Sequence, residues 1–247
     1  MPPLEIDTAV ELRQTLLRLF GPTSDGTELT EREREEAESL RPVLRSVMRT
    51  AGQEIVLRNQ RMRVSQFETL GAPSRKVVFL GSSIVEGGQW EEWFPELETL
   101  NRGVGGNTVD DLAARLDSAL NDPQKIVLLI GTNDLRDLVE PSAADEIAVR
   151  MERLVARIRA AAPAAPLYIN SVLPRARIYA DSICALNKHY ARIADETGAA
   201  YLDLWPALAG PDGAIRPEFS LDELHLTGAG YRAWTEVLRP HLRPHPS

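Results

Sequence analysis

Four short stretches hold residue types that can do chemistry together. KVVFLGSSIVEGG runs as apolar residues from Lys76 and stops at Gly81-Ser82-Ser83. NRGVGGNT, from Asn101, sets Gly103, Gly105 and Gly106 close together, GTND ends an apolar run on Asn133, and LDELHLTGAGY places Asp222 shortly before His225. A hydroxyl, a glycine-rich turn, a carboxamide and a carboxylate–imidazole pair are the parts acyl transfer requires. A serine hydroxyl is a poor nucleophile until a base takes its proton. Imidazole titrates near neutral pH and suits that task. A carboxylate fixes the ring's tautomer, and preorganised N–H donors stabilise the oxyanion. Glycine offers a backbone N–H with no side chain in the way, and asparagine adds a side-chain donor. Each feature alone has an ordinary reading. Gly-Ser-Ser can cap a helix, the glycines can make a tight turn, Asn133 can bridge loop backbone, and Asp222 and His225 can be a turn cap and a core or surface side chain. Their order and their shared location single them out.

That location follows from the pattern of elements. Five apolar runs read as strands: Lys76–Leu80, Glu98–Asn101, Ile126–Ile130, Leu167–Ser171 and Ala200–Leu204. IVLLI has no polar alternation, which suits a strand covered on both faces of a parallel sheet. In SAADEIAVRMERLVARIRAAA, Ser142 reads as the N-cap, and Ile147, Met151, Leu154, Val155 and Ile158 recur at helical spacing. Ile183, Leu186, Tyr190 and Ile193 repeat the pattern, as do Tyr231, Trp234, Val237 and Leu238. The alternation predicts an α/β fold: a doubly wound, flavodoxin-like, mostly parallel five-stranded sheet with helices on both faces. Ligands of such sheets gather beyond the carboxyl ends of the strands, where the serines, the glycine turn and Asn133 fall.

A composition shift at Gly71-Ala72-Pro73-Ser74 separates an N-terminal helical extension, residues 1–73, from a main domain, residues 74–247. The extension reads as three helices: Ala9–Phe20, a second from Thr30 that Pro42 should kink or break, and a third over Gln53–Leu70. It would pack on the main domain or serve as a dimerisation arm. Arg58, Arg61 and Arg63 read as a solvated face.

The motifs resemble the blocks of the SGNH (GDSL-type) hydrolase superfamily. FLGSSIVEGG resembles the first block, which implies Ser83 as nucleophile. NRGVGGNTVDDL is similar to the second, with Gly106 as backbone oxyanion donor, and IGTNDL to the third, with Asn133 as side-chain donor. DELH resembles the last, Asp222 orienting His225. The Ser83 N–H would join the oxyanion hole. NRGVGG and WEEWFPEL are most similar to catalytic subunits of platelet-activating-factor acetylhydrolase and related bacterial esterases. The family's usual aspartate before the nucleophile is Ser82 here, which implies different hydrogen bonding around the nucleophile loop. The resemblance implies a serine esterase acting on short-chain acyl esters through an acyl-enzyme. A carbohydrate deacetylase, a thioesterase of the same fold, and a non-catalytic binding module are the alternatives. Trp90 and Trp93 pack as core or line the acyl entrance. Arg175 and Arg177, after another strand, are surface charge or face an anionic leaving group.

The remaining sequence narrows the field. No G-x-S-x-G elbow, P-loop, G-x-G-x-x-G fingerprint or H-E-x-x-H occurs, and His189, His241 and His245 lack partners at zinc-like spacing. No metal or cofactor is called for. A net charge of -8 argues against a nucleic-acid partner. The one cysteine, Cys184, precludes an intramolecular disulfide and reads as a small core residue. The start lacks a signal-peptide pattern and no apolar run is long enough to span a membrane, so a cytoplasmic protein is expected, as a monomer or as a homodimer through the extension. The RPHLRPHPS end is expected to fray.

Overall fold

The structure, a computed structural model, describes residues 30–135 and 140–242. The expected Ala9–Phe20 helix and His245 lie outside these residues. Helix α1 runs unbroken over Glu31–Leu70, 40 residues with Pro42 inside. The expected break at Pro42 is therefore corrected. Proline removes one backbone donor and costs about 3 kcal/mol in a helix interior, but the Glu-, Arg-, Leu- and Gln-rich sequence around it favours helix throughout. α1 ends at Gly71, whose φ of 66° and N–H bond to Phe67 O at 2.9 Å form a left-handed C-terminal cap. The composition shift marks this cap. By contacts, the chain divides between Leu57 and Arg58, so the last turns of α1 belong to the larger unit, Arg58–Ser247.

The larger unit holds a five-stranded parallel sheet in the order β2-β1-β3-β4-β5: β1 Val77–Gly81, β2 Thr99–Gly103, β3 Lys125–Leu129, β4 Leu167–Asn170 and β5 Ala200–Leu202. Alternate strand residues feed two cores. Val78, Leu80, Ile126, Leu128 and Ile169 face one, with α4 (Val109–Ala114), α5 (Ala143–Ala161) and α6 (Ala180–Thr197) supplying the cover. Val77, Phe79, Val127 and Leu129 face the other, covered by α2 (Ser83–Glu86), α3 (Trp90–Trp93), α7 (Trp205–Leu208) and α8 (Gly228–Leu242). The periodic apolar residues of α5 are all fully buried, as are Ile183, Leu186 and Tyr190 of α6. Fully burying one such side chain is worth about 1.5–3 kcal/mol, so these stripes hold the helices on the sheet.

The strand order decides where a site can form. β1 is followed by helices on one face, while β3 is followed by α5 on the other. The topology therefore switches direction beyond the carboxyl ends of adjacent β1 and β3, the point where such sheets leave a crevice for ligands. Ser83 and Asn133 flank it.

Several local expectations are corrected. Cys184 is exposed, since it lies one residue beyond Ile183 and about 100° around the helix from the buried stripe. Ser142 precedes α5 but makes no side-chain capping bond. α8 continues through Pro240 to Leu242, and the His241 carbonyl is held by Lys125 Nζ at 3.1 Å and Tyr168 Oη at 3.0 Å. Among the described residues, no helix is long and apolar enough to cross a membrane.

Candidate active site

β1 ends at Gly81 and α2 starts almost at once, so Ser83 stands at the sheet's rim, half-buried. Its Oγ lies 2.8 Å from His225 Nε2, and His225 Nδ1 lies 2.6 Å from Asp222 Oδ2. The Asp-x-x-His turn is self-bracing. Asp222 Oδ1 accepts from the N–H groups of His225 at 2.7 Å and Leu224 at 3.1 Å and from Ser220 Oγ at 3.2 Å. Glu223 takes the left-handed region, φ 59°, to close the turn, a conformation that costs about 1–2 kcal/mol for a residue with a Cβ. Burial pushes the Asp222 carboxyl up, but the His225 ring and the two backbone N–H donors outweigh it and hold the group down at about 2. Asp222 is thus ionised at neutral pH. The helix after the histidine, α8, is tied to α2: Tyr231 Oη donates to Ile84 O at 2.7 Å.

The glycine turn lies against this pair. Gly103 packs so tightly on the Glu86 backbone nitrogen that a Cβ there would overlap it. A Cβ on Gly105 would come 3.7 Å from Ser83 Cβ. The Gly105 N–H donates to Glu86 Oε2 at 2.5 Å. Gly106 has φ 76°, open to glycine at little cost, and its N–H has no acceptor among the described residues. Asn133 Nδ2 donates one hydrogen to Asn107 O at 2.9 Å, which fixes the amide's orientation beside the turn and leaves its second hydrogen. Asn101 joins the turn to α2. Its Nδ2 reaches the carbonyls of Val85, Glu86 and Gly88 at 3.1, 3.0 and 3.1 Å, and its Oδ1 accepts from Gly103 N at 2.9 Å. Ser82 is buried and makes no side-chain capping bond. It lines a cavity of about 10 Å³ with Ile84, Leu129, Ile130, Thr132, Val172 and Leu173.

Two polar residues that sequence reasoning passed over hold this frame. Arg115, 7% exposed, donates to Gly81 O at 3.0 Å, Arg102 O at 3.0 Å and Asn107 Oδ1 at 2.7 Å, so one guanidinium ties the ends of β1 and β2 to the glycine turn. Burial, aided by the charges of Arg63 and Arg102, lowers it to about 10, which leaves it charged at neutral pH. Asp134 follows Asn133 and accepts from Val109 N at 3.2 Å at the start of α4, with Arg150 Nη2 at 3.5 Å. In a sequence both read as surface charge, and no local signal marks them otherwise.

Asp134 carries a pH signature. Burial pushes its carboxyl up to about 6, against the Val109 N–H and the Arg150 charge. A folded-state value above the unfolded one means that the native state holds the proton more tightly. Its stability contribution is therefore full below about pH 4, falls as pH rises to about 6, and is flat above. The full span is of order 3 kcal/mol. Asp134→Asn keeps an acceptor for Val109 and removes the titration. Thermal melts at pH 4 and pH 7 should show wild type losing more Tm between the two than the variant does. Equal losses would refute this account.

The four candidate substrate contacts fare differently. Trp90 takes the core reading and not the acyl entrance: it is 2% exposed, stacked on Phe79 at 4.0 Å and edge-on to Trp234 at 4.9 Å. Trp93 packs against the same core, its carbonyl accepting from Arg239 Nη2 at 2.9 Å. Arg175 lies over the Tyr179 ring, with Nη1 on Thr132 O at 3.1 Å, beside Asn133. Arg177 is exposed and lies 3.9 Å from Asp181. Arg63, expected on a solvated face, instead donates to Gly103 O at 2.6 Å.

Comparison with known proteins agrees with this frame. Residues 79–233 match the GDSL-like Lipase/Acylhydrolase family. The platelet-activating factor acetylhydrolase IB subunit alpha2 of Rattus norvegicus is 30% identical over 170 residues, 63% of this chain and 70% of that protein. The alpha1 subunit of Bos taurus is 27% identical over 168 residues, 63% of this chain and 70% of that protein. A GDSL-like lipase structure from Bacteroides thetaiotaomicron superposes with a TM-score of 0.61 at 23% identity, covering 74% of this chain and 96% of that one, a likeness of fold. With the match spanning β1 to α8 and the parallel sheet in place, the chain belongs to the GDSL-like lipase/acylhydrolase family.

Proposed function

We propose that the protein is a serine esterase that hydrolyses short-chain acyl esters through Ser83, His225 and Asp222. The observation that carries this is the unbroken relay from Asp222 Oδ2 through the imidazole to Ser83 Oγ, with links of 2.6 and 2.8 Å. His225 Nε2 takes the Ser83 proton as Oγ bonds to the ester carbonyl carbon. The carbonyl oxygen becomes an oxyanion, held by the N–H groups of Ser83 and Gly106 and by Asn133 Nδ2. Collapse breaks the C–O bond to the leaving alkoxide, which takes the proton from the imidazolium. Water, deprotonated in turn by His225, then attacks the acyl-enzyme, and the carboxylic acid leaves with the proton returned to Ser83.

One feature supports short acyl groups. The His225 side chain is 48% exposed and that of Asp222 54%, so the reacting edge is open.

The test is a panel of p-nitrophenyl acetate, butyrate, octanoate and laurate, acetylated xylo-oligosaccharides and acetyl-coenzyme A. The expected outcome is a kcat/KM that is highest for acetate and falls at least tenfold by octanoate. A preference for long chains would overturn the short-chain reading. Turnover confined to the thioester or the sugar would move the substrate class, and no turnover on any of them would overturn the esterase reading.

A further inference from the structure

The end of α1 reaches the glycine turn at a point that matters for the chemistry. Gln60 Nε2 donates to Gly105 O at 2.8 Å. Glu86 Oε2 accepts the Gly105 N–H at 2.5 Å, while Glu86 Oε1 meets Arg63 Nε at 3.0 Å. Arg63 Nε also donates to Gly103 O at 2.6 Å. Further along, the guanidinium groups of Arg63 and Arg102 lie over the Phe67 ring at 5.2 and 4.4 Å, and Arg102 Nη2 holds Gly71 O at 2.7 Å, which anchors the helix end.

Gly105 C=O and Gly106 N–H belong to one planar peptide unit and point in opposite directions, since the bond is trans. Whatever fixes the carbonyl therefore aims the N–H. With glycine on both sides, this peptide has neighbouring conformations of similar energy and can rotate at little cost. A clamp from outside the turn is what selects one of them.

We propose that Gln60, Arg63 and Glu86 are positioning residues that lock the Gly105–Gly106 peptide with its N–H turned toward the oxyanion, making the last turns of α1 part of the catalytic apparatus. The inference rests on the reading of Gly106 as an oxyanion donor. Losing one such donor typically costs about 100- to 1000-fold in rate, and a loosened one less. The substitutions Gln60→Ala and Gln60→Glu, the second keeping size but offering no donor when ionised, are expected to lower kcat on p-nitrophenyl acetate by about 10- to 100-fold with KM within about twofold. Arg63→Ala should do the same.

The decisive measurement pairs kcat with the inhibition constant of an alkylboronic acid, whose adduct carries the tetrahedral oxyanion. In all three variants that constant should rise in step with the fall in kcat, at unchanged far-UV circular dichroism and with Tm within a few degrees of wild type. Wild-type kcat and boronate affinity in Gln60→Ala and Gln60→Glu, alongside an inactive Ser83→Ala, would overturn the positioning role and leave the esterase reading intact. Loss of activity only in proportion to lost folded protein would overturn it equally, by making the contact a matter of stability. Retained turnover in Ser83→Ala would remove the reading on which the proposal rests.

Discussion

Ser83→Ala is expected to lower kcat on p-nitrophenyl acetate by about 10,000- to 1,000,000-fold while leaving KM and the far-UV circular dichroism near wild type. The hydroxyl is half-buried at the end of β1, so its loss leaves no cavity in either core and the fold should persist. The size of the effect follows from the relay. Without Oγ there is no acyl-enzyme, and the remaining oxyanion donors can assist only a water attack. His225→Ala should cost as much, because an unactivated serine is little better than none. The double variant should be no worse than either single one, since groups that act as a unit are not additive. Asp222→Asn is expected to lose about 10,000-fold, by leaving the imidazole in the wrong tautomer. Steady-state kinetics on all four variants checks the pattern. Multiplicative losses in the double variant would mean that Ser83 and His225 act independently, against the 2.8 Å contact between them.

The second large effect is on stability. Arg115→Met keeps most of the side chain's length and apolar stem but removes the guanidinium, taking this donor from Arg102 O and Asn107 Oδ1 and leaving Gly81 O with the Val104 N–H at 3.1 Å. Buried acceptors left unmet cost about 1–3 kcal/mol each, and Gly81 O is still met, so the loss should be about 2–4 kcal/mol, a fall in Tm of roughly 10 °C. Activity should fall further than stability explains at a temperature where the variant is folded, because Gly81 leads into the nucleophile helix and Asn107 both follows Gly106 and receives Asn133. Arg115→Lys should recover little of either, as one ammonium cannot span three acceptors in a fan. Differential scanning calorimetry with kinetics at low temperature checks this. A variant with wild-type Tm would mean that water replaces the guanidinium without loss.

Much of the architecture was legible because it rests on local rules. Runs such as IVLLI can only be buried on both faces, and the stripes of α5 and α6 have one face to bury, so the strands and the long helices follow from hydrophobic spacing. Ser83, Asp222 and His225 became candidates through their order along the chain and the resemblance of their motifs to the SGNH blocks, and the three side chains lie within 2.8 and 2.6 Å of one another along the chain of contacts.

What was missed depends on distance along the chain. Arg115 meets a carbonyl of residue 81, and Gln60 one of residue 105. A charged or amide side chain that satisfies remote backbone looks in sequence like any solvated one. Trp90 is the converse case. Its place just beyond the nucleophile suggests the rim, yet the short α2 and the turn after it fold it back onto Phe79. Pro42 misled because a proline penalty is modest beside the propensity of a 40-residue helix.

The most direct measurement is to label the wild-type protein with a fluorophosphonate and map the adduct by peptide mass spectrometry. A serine activated by His225 should be the only one to react, giving one adduct, on Ser83, and none in Ser83→Ala. An adduct on another serine, or none from a preparation that turns over p-nitrophenyl acetate, would contradict the assignment of the nucleophile and with it the mechanism.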